Sequence, residues 1–179
     1  MSKNIYLAGG IEKERNLGKA WRQLVTPALH EAGYVILDPC TFEPLQLKGL
    51  NLGKLPREVQ GEDGTYCYIK SWHDLKYAKK RSRWYQLFER CMEKVIRYDI
   101  TLVEKSVDAI ICLWSPGTAQ GAGTHAELTS AFMKGIPVIL VQSAADVPAW
   151  VLGCCKYGKV VSTLTEAVVE LKNILPANE

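Results

Sequence analysis

The sequence predicts an α/β protein: a flavodoxin-like or Rossmann-like three-layer sandwich built on a five-stranded parallel sheet, with a long insertion after strand 2. Three observations predict it. The runs at 109–114 (AIICLW) and 137–141 (PVILV) are short and apolar throughout, the pattern of strands covered on both faces. Amphipathic stretches of helical length separate the apolar runs, so right-handed crossovers leave a doubly wound sandwich as the economical topology. Directly behind the run at 109–114 comes a loop rich in small residues, GAGTHAE at 121–127. It therefore opens at the carboxyl end of a strand, the edge where ligands bind in open α/β sheets.

The first strand is 4–8 (NIYLA), closed by Gly9 and Gly10. This turn either passes close to a sugar or phosphate or is a plain β-to-α turn. It is not a GxGxxG fingerprint, and no GxxxxGK[ST] occurs, so neither a dinucleotide nor a P-loop assignment is supported. A helix of mixed charge at about 17–32 ends at Gly33. The second strand at 34–37 (YVIL) stops at Asp38 and Pro39, because proline cannot donate to a ladder. Asp38 shares the sheet edge of the glycine turns, where it is a turn-starting residue or a ligand contact.

Between 40 and 82 periodicity disappears while Gly, Pro and aromatic residues accumulate. A connection this long inside a single domain spanning 1–179 is expected to be a lid or binding loop. It ends in Lys76, Lys79, Lys80, Arg81 and Arg83, either a solvated helix start or an electrostatic funnel for phosphate. From about 83 to 105, Trp84, Phe88, Cys91, Val95 and Leu102 recur at steps of three and four, which is a helix. Asp99 falls on that apolar stripe, where a carboxylate is costly unless paired, hydrogen-bonded or at work. Asp108 reads as a turn residue before the third strand at 109–114. The Glu127 helix, the fourth strand at 137–141, a loop at 142–153 with Trp150, a fifth strand near 159–162 and a helix at 163–175 complete the chain.

At 179 residues the chain suits one well-cored domain. Its 47% hydrophobic and 23% charged residues are those of a soluble globular protein, which excludes disorder and fibrous repeats. A net charge of +3 tolerates small anionic ligands and gives no ground for a nucleic-acid partner. The six cysteines lack a CxxC pair, and His30, His73 and His125 lack ligand spacing; no zinc site and no cofactor are expected. The cysteines read as reduced and structural. The amino terminus enters a strand without a signal region and no apolar run reaches membrane length, so a cytoplasmic protein without a membrane partner is expected.

Glu127 is the only acid in the loop and first turns of its helix. Thr124 and Glu127 have the spacing of a capping box. The alternative is a carboxylate kept ionised by the helix dipole and free amides, able to act as a nucleophile or to stabilise a developing cation. Gly121 and Gly123 favour chemistry, since a plain cap does not need backbone able to approach a ligand closely.

IYLAGG, RYDITLVEKSVDAIICLW and GTHAELTSAFMKGIPVIL together resemble the nucleoside 2-deoxyribosyltransferase superfamily, which includes 2'-deoxynucleoside 5'-phosphate N-hydrolases. The likeness covers the first fifty residues and roughly 97–141. It implies cleavage of an N-glycosidic bond, with Glu127 as nucleophile and Asp99 positioning it or handling the proton. It also implies Tyr6, Gly9 and Gly10 at the substrate, a small nucleoside or nucleotide ligand, and a homo-oligomer. Where that family's transferases carry an aspartate six residues before the nucleophile, this chain has Gly121. Glycosidic cleavage passes through an oxocarbenium-like state that a carboxylate stabilises or captures; a base acceptor then makes a transferase and water a hydrolase. Related readings are a TIR-type NAD hydrolase or a phosphoribohydrolase, whose PGG-led motif SPGTAQGAG matches loosely. A non-catalytic nucleotide sensor, with Glu127 only a cap, is the reading from another class.

Overall fold

A computed structural model of the chain describes residues 2–143 and 146–176. In order, the elements are β1 (Asn4–Gly9), α1 (Lys19–Glu31), β2 (Val35–Leu37), α2 (Pro39–Gln46), β3 (Glu58–Gln60), β4 (Tyr66–Tyr68), α3 (Arg83–Ser106), β5 (Ala109–Trp114), α4 (Pro116–Ala119), α5 (Ala122–Lys134), β6 (Val138–Gln142), α6 (Ala149–Cys154), β7 (Lys159–Val161) and α7 (Leu164–Ile174). Five strands form one sheet in the order β2-β1-β5-β6-β7, every neighbouring pair parallel. The chain runs outward from β1 to β2 and later returns to β5 on the other side of β1. The helices that follow β1 and β5 therefore lie on opposite faces of the sheet, which makes a topological switch point.

The parallel strands are apolar throughout because both faces are covered. Ile5 and Leu7 of β1 pack with Val25 and Leu29 of α1 and with Ala167, Val168 and Leu171 of α7. Tyr6 and Ala8 turn to the opposite face, against Val103 of α3, Leu128 and Ala131 of α5, and Val151 and Cys154 of α6. The period of two along β1 thus delivers alternate side chains to the two helical layers. Asp108 ties the starts of β1 and β5 together, its Oδ2 accepting from the Asn4 amide at 2.7 Å.

The described chain divides into two compact units, 1–42 with 99–179, and 43–98. The second holds most of the stretch in which no periodicity is visible, and it is not structureless. It carries the β3–β4 antiparallel hairpin and a core of Leu47, Val59, Trp72, Leu75, Leu87 and Cys91. Trp72 donates from its indole to Glu43 at 2.9 Å. Three-residue strands are too short to display alternation, which is why this hairpin is silent in the sequence.

Two short helices, α4 and α6, stand where loops are expected. Ser115 caps α4 by accepting from the Thr118 amide at 3.1 Å, and Pro116 opens it; serine followed by proline is a helix-start signature in its own right. The first helix begins at Lys19 rather than 17, because Asn16, Leu17 and Gly18 all hold positive φ, at 55°, 56° and 68°.

All six cysteines are free thiols. Burial pushes Cys91 and Cys155 up to about 11, so both stay protonated and inert at neutral pH. Among the described residues, no helix is long and apolar enough to cross a membrane.

Candidate active site

Tyr6 sits in the middle of β1, paired with Leu37 of β2 and Ile110 of β5, and is fully buried. Its hydroxyl donates to Glu127 Oε1 at 2.8 Å. Glu127 lies on α5 with 8% of its surface exposed. The capping box that Thr124 and Glu127 suggest does not form. Gly121, extended at φ −100° and ψ 130°, takes the N-cap position without a side-chain cap, so Thr124 is already the third helical residue. Glu127 is therefore carried into the second turn and turns to Tyr6 instead.

Burial raises the Glu127 carboxyl above the ordinary carboxylate range, against the Tyr6 hydrogen bond and the positive charge of Arg22, which lower it. Burial, followed by the charges of Glu127 and Asp99, holds the Tyr6 phenol well above its usual value. Tyr6 thus remains a donor across the physiological range. Asp99, half-buried on α3, contributes a smaller charge effect on the same phenol than Glu127 does.

Arg22 is the main residue that sequence reasoning missed. It sits on α1 with no side-chain exposure. Its guanidinium donates to the carbonyls of Leu7 at 3.2 Å, Gly9 at 3.0 Å and Gly18 at 2.9 Å. Its Nε also pairs with Asp38 Oδ1 at 3.3 Å. A buried cation needs this many acceptors, and the set fixes the carboxyl end of β1 against α1 and the end of β2. Arg22 precedes Val25 and Leu29 by three and seven residues. Its signal in the sequence is that of Asp99, a charge on an apolar stripe. Asp38 also accepts from the Cys40 amide at 2.9 Å, so it is both the turn residue and the partner of Arg22.

The turns after β1 and β5 grip each other. The Gly10 amide donates to Thr118 Oγ1 at 2.8 Å, and Ser115 Oγ donates to the Glu14 carboxylate. A Cβ on Gly10 would lie 2.9 Å from the Thr118 amide nitrogen, so glycine is required there for close approach. The nearest neighbour of Gly10 is thus the protein's own β5 turn. Gly9, paired with Leu113, lies under the Trp21 ring. Gly121 and Gly123 lie at the start of α5, and a Cβ on Gly123 would meet nothing within 4 Å among the described residues. His125 is held by the Gly121 carbonyl at 2.9 Å and edge-on to Trp114.

The structure thus joins Tyr6 to Glu127 and ties Arg22 to Asp38 and to the carbonyls of Leu7 and Gly9, with Gly10 at the turn that follows. It is an α/β sandwich with a buried carboxyl hydrogen-bonded to a buried tyrosine beside the switch point. No protein-family model matches the chain, and no curated protein does. Solved structures do. A conserved protein from Enterococcus faecalis V583 is 15% identical over 98% of this chain and all of its own, with a TM-score of 0.54, which shows a shared fold. The solved structures also include a 2-deoxyribosyltransferase from the psychrotolerant bacterium Bacillus psychrosaccharolyticus, 15% identical over 92% of this chain and 90% of its own, with a TM-score of 0.48.

Proposed function

We propose that the chain cleaves the N-glycosidic bond of a nucleoside or nucleotide, with Glu127 as nucleophile. The observation that carries this reading is the buried Glu127 carboxyl, held at 2.8 Å by the Tyr6 hydroxyl; burial raises its pKa, and the Tyr6 hydrogen bond and the charge of Arg22 oppose that shift. A carboxylate fixed in this way is held in one position for attack, and the hydrogen bond and the cation offset part of the hydration that burial removes. A glutamate oxygen bonds to the anomeric carbon, the carbon–nitrogen bond breaks, and the base leaves with the electron pair. In the second step water or another base attacks the same carbon and frees the glutamate. A proton delivered to the departing base is worth roughly 10²-fold to 10⁴-fold in rate. Asp99 is assigned to that proton or to aligning Glu127 through Tyr6.

The nucleophile must be ionised, so activity falls as pH drops through the raised Glu127 value. Tyr6→Phe removes a hydrogen bond that lowers that value; the acid limb of the pH–rate profile then moves to higher pH, at a stability cost of about 1 kcal/mol. A limb that stays in place would show that Glu127 is not the titrating group. Asp99→Asn should lower turnover by about 10²-fold and raise the melting temperature, because a charge on an apolar stripe is costly. A destabilised but fully active Asp99→Asn would make that residue architectural.

The reading is tested by incubating the protein with deoxynucleosides, deoxynucleotides and NAD, with and without a second free base, and separating products by chromatography. Free base from a deoxynucleoside or deoxynucleotide supports it, and a new nucleoside in the presence of the second base identifies transfer. Release from NAD alone points to the glycohydrolase alternative, and binding without release to a sensor.

A further inference from the structure

The unit formed by 43–98 holds twelve Lys and Arg against seven Asp and Glu, whereas the rest of the chain holds ten against twelve. Its positive charge lines a cleft of about 410 Å³, bounded by Asn51 and Lys54 on one side and by Arg83, Trp84, Leu87 and Arg90 of α3 on the other. The four α3 residues fall on one face of the helix. No acid among the described residues lines the cleft. Among the described residues, no ion pair within 4.0 Å joins Lys54, Arg83 or Arg90 to a carboxylate. Three cations facing one cavity without a counter-charge repel one another, and an anion in the cavity removes that repulsion. Besides Asn51, the rest of the lining is Trp84 and Leu87. Leu87 is buried at 6% exposure, and the Arg83 guanidinium lies 4.4 Å from the centre of the Trp84 ring, which preorganises a planar cation beside an aromatic wall.

We propose that this cleft binds a small phosphorylated ligand bearing a planar ring, with Lys54, Arg83 and Arg90 on the phosphate and Trp84 with Leu87 against the ring. The volume is that of a small-molecule site, and paired arginines suit a phosphate's several acceptor oxygens. None of these residues belongs to the Glu127 cluster, so the proposal stands apart from the glycosidic chemistry. The probe is phenyl phosphate, which has no glycosidic bond to cleave. Protein labelled with 5-fluorotryptophan has five tryptophan resonances to follow, with that of Trp84 assigned from Trp84→Phe. Phenyl phosphate should move the Trp84 line saturably, inorganic phosphate should compete, and phenol should bind far more weakly. Arg83→Gln with Arg90→Gln should weaken binding at least ~10-fold, while the other four lines report an unchanged fold. In the wild type, added salt should weaken phenyl phosphate and spare phenol. A Trp84 line unmoved at millimolar phenyl phosphate, an equal response to phenol, or binding insensitive to salt and to both arginine substitutions would overturn the assignment.

Discussion

Glu127→Gln is expected to fold normally and to lose turnover by at least ~10³-fold. Glutamine keeps the shape and an oxygen to accept from Tyr6, so the contact that holds the side chain persists. A neutral amide, however, cannot form an ester with the anomeric carbon or balance an oxocarbenium charge. The same substitution changes stability with a definite sign. The folded-state value of Glu127 is raised, so the folded protein binds that proton more tightly than the unfolded chain does. Its stabilising effect is complete below the ordinary carboxylate range and is lost as pH climbs through the raised value. Glutamine carries no such loss. Thermal melts across pH should show the variant gaining on the wild type towards neutrality, with the advantage vanishing in acid. An unchanged gap at every pH would mean that Glu127 is not desolvated as its burial indicates.

Arg22→Met should cost about 3–5 kcal/mol, because it leaves Asp38 without its buried partner and strips a donor from three carbonyls. That is a large share of the ~5–15 kcal/mol of a typical domain, so denaturant unfolding is the suitable readout. Arg22→Lys should fall between, keeping the charge but losing the fork that reaches Leu7, Gly9 and Gly18 together. Losing the cation also lifts the Glu127 value further, so any remaining activity should need higher pH. A cost below about 1 kcal/mol for the methionine would place Arg22 among ion pairs that contribute little.

What the sequence made legible follows from pattern length. The runs that became β5 and β6 are uniformly apolar because both faces are covered, and the long stripe of α3 spans enough turns to declare its period. Glu127 was visible as the only acid in its loop and first helical turns and Tyr6 only through the resemblance, and the structure joins them at 2.8 Å. Thr124 and Glu127 had the spacing of a cap, yet spacing alone does not say where a helix starts; Gly121 starts it three residues before Thr124. Arg22 showed in the sequence only as a charge on the stripe of Val25 and Leu29, since three of its acceptors are carbonyls, which leave no trace in the side-chain sequence. α2 and the β3–β4 hairpin are shorter than the windows in which periodicity can be read, and their core comes from contacts such as Trp72 to Glu43, 29 residues apart.

The most direct measurement is to quench the protein in acid during turnover of a deoxynucleoside or its 5'-phosphate and weigh its peptides by mass spectrometry. The account predicts one glycosyl increment on the peptide carrying Glu127, absent from Glu127→Gln. Turnover with no sugar on that peptide, or with the sugar on a different residue, would contradict it.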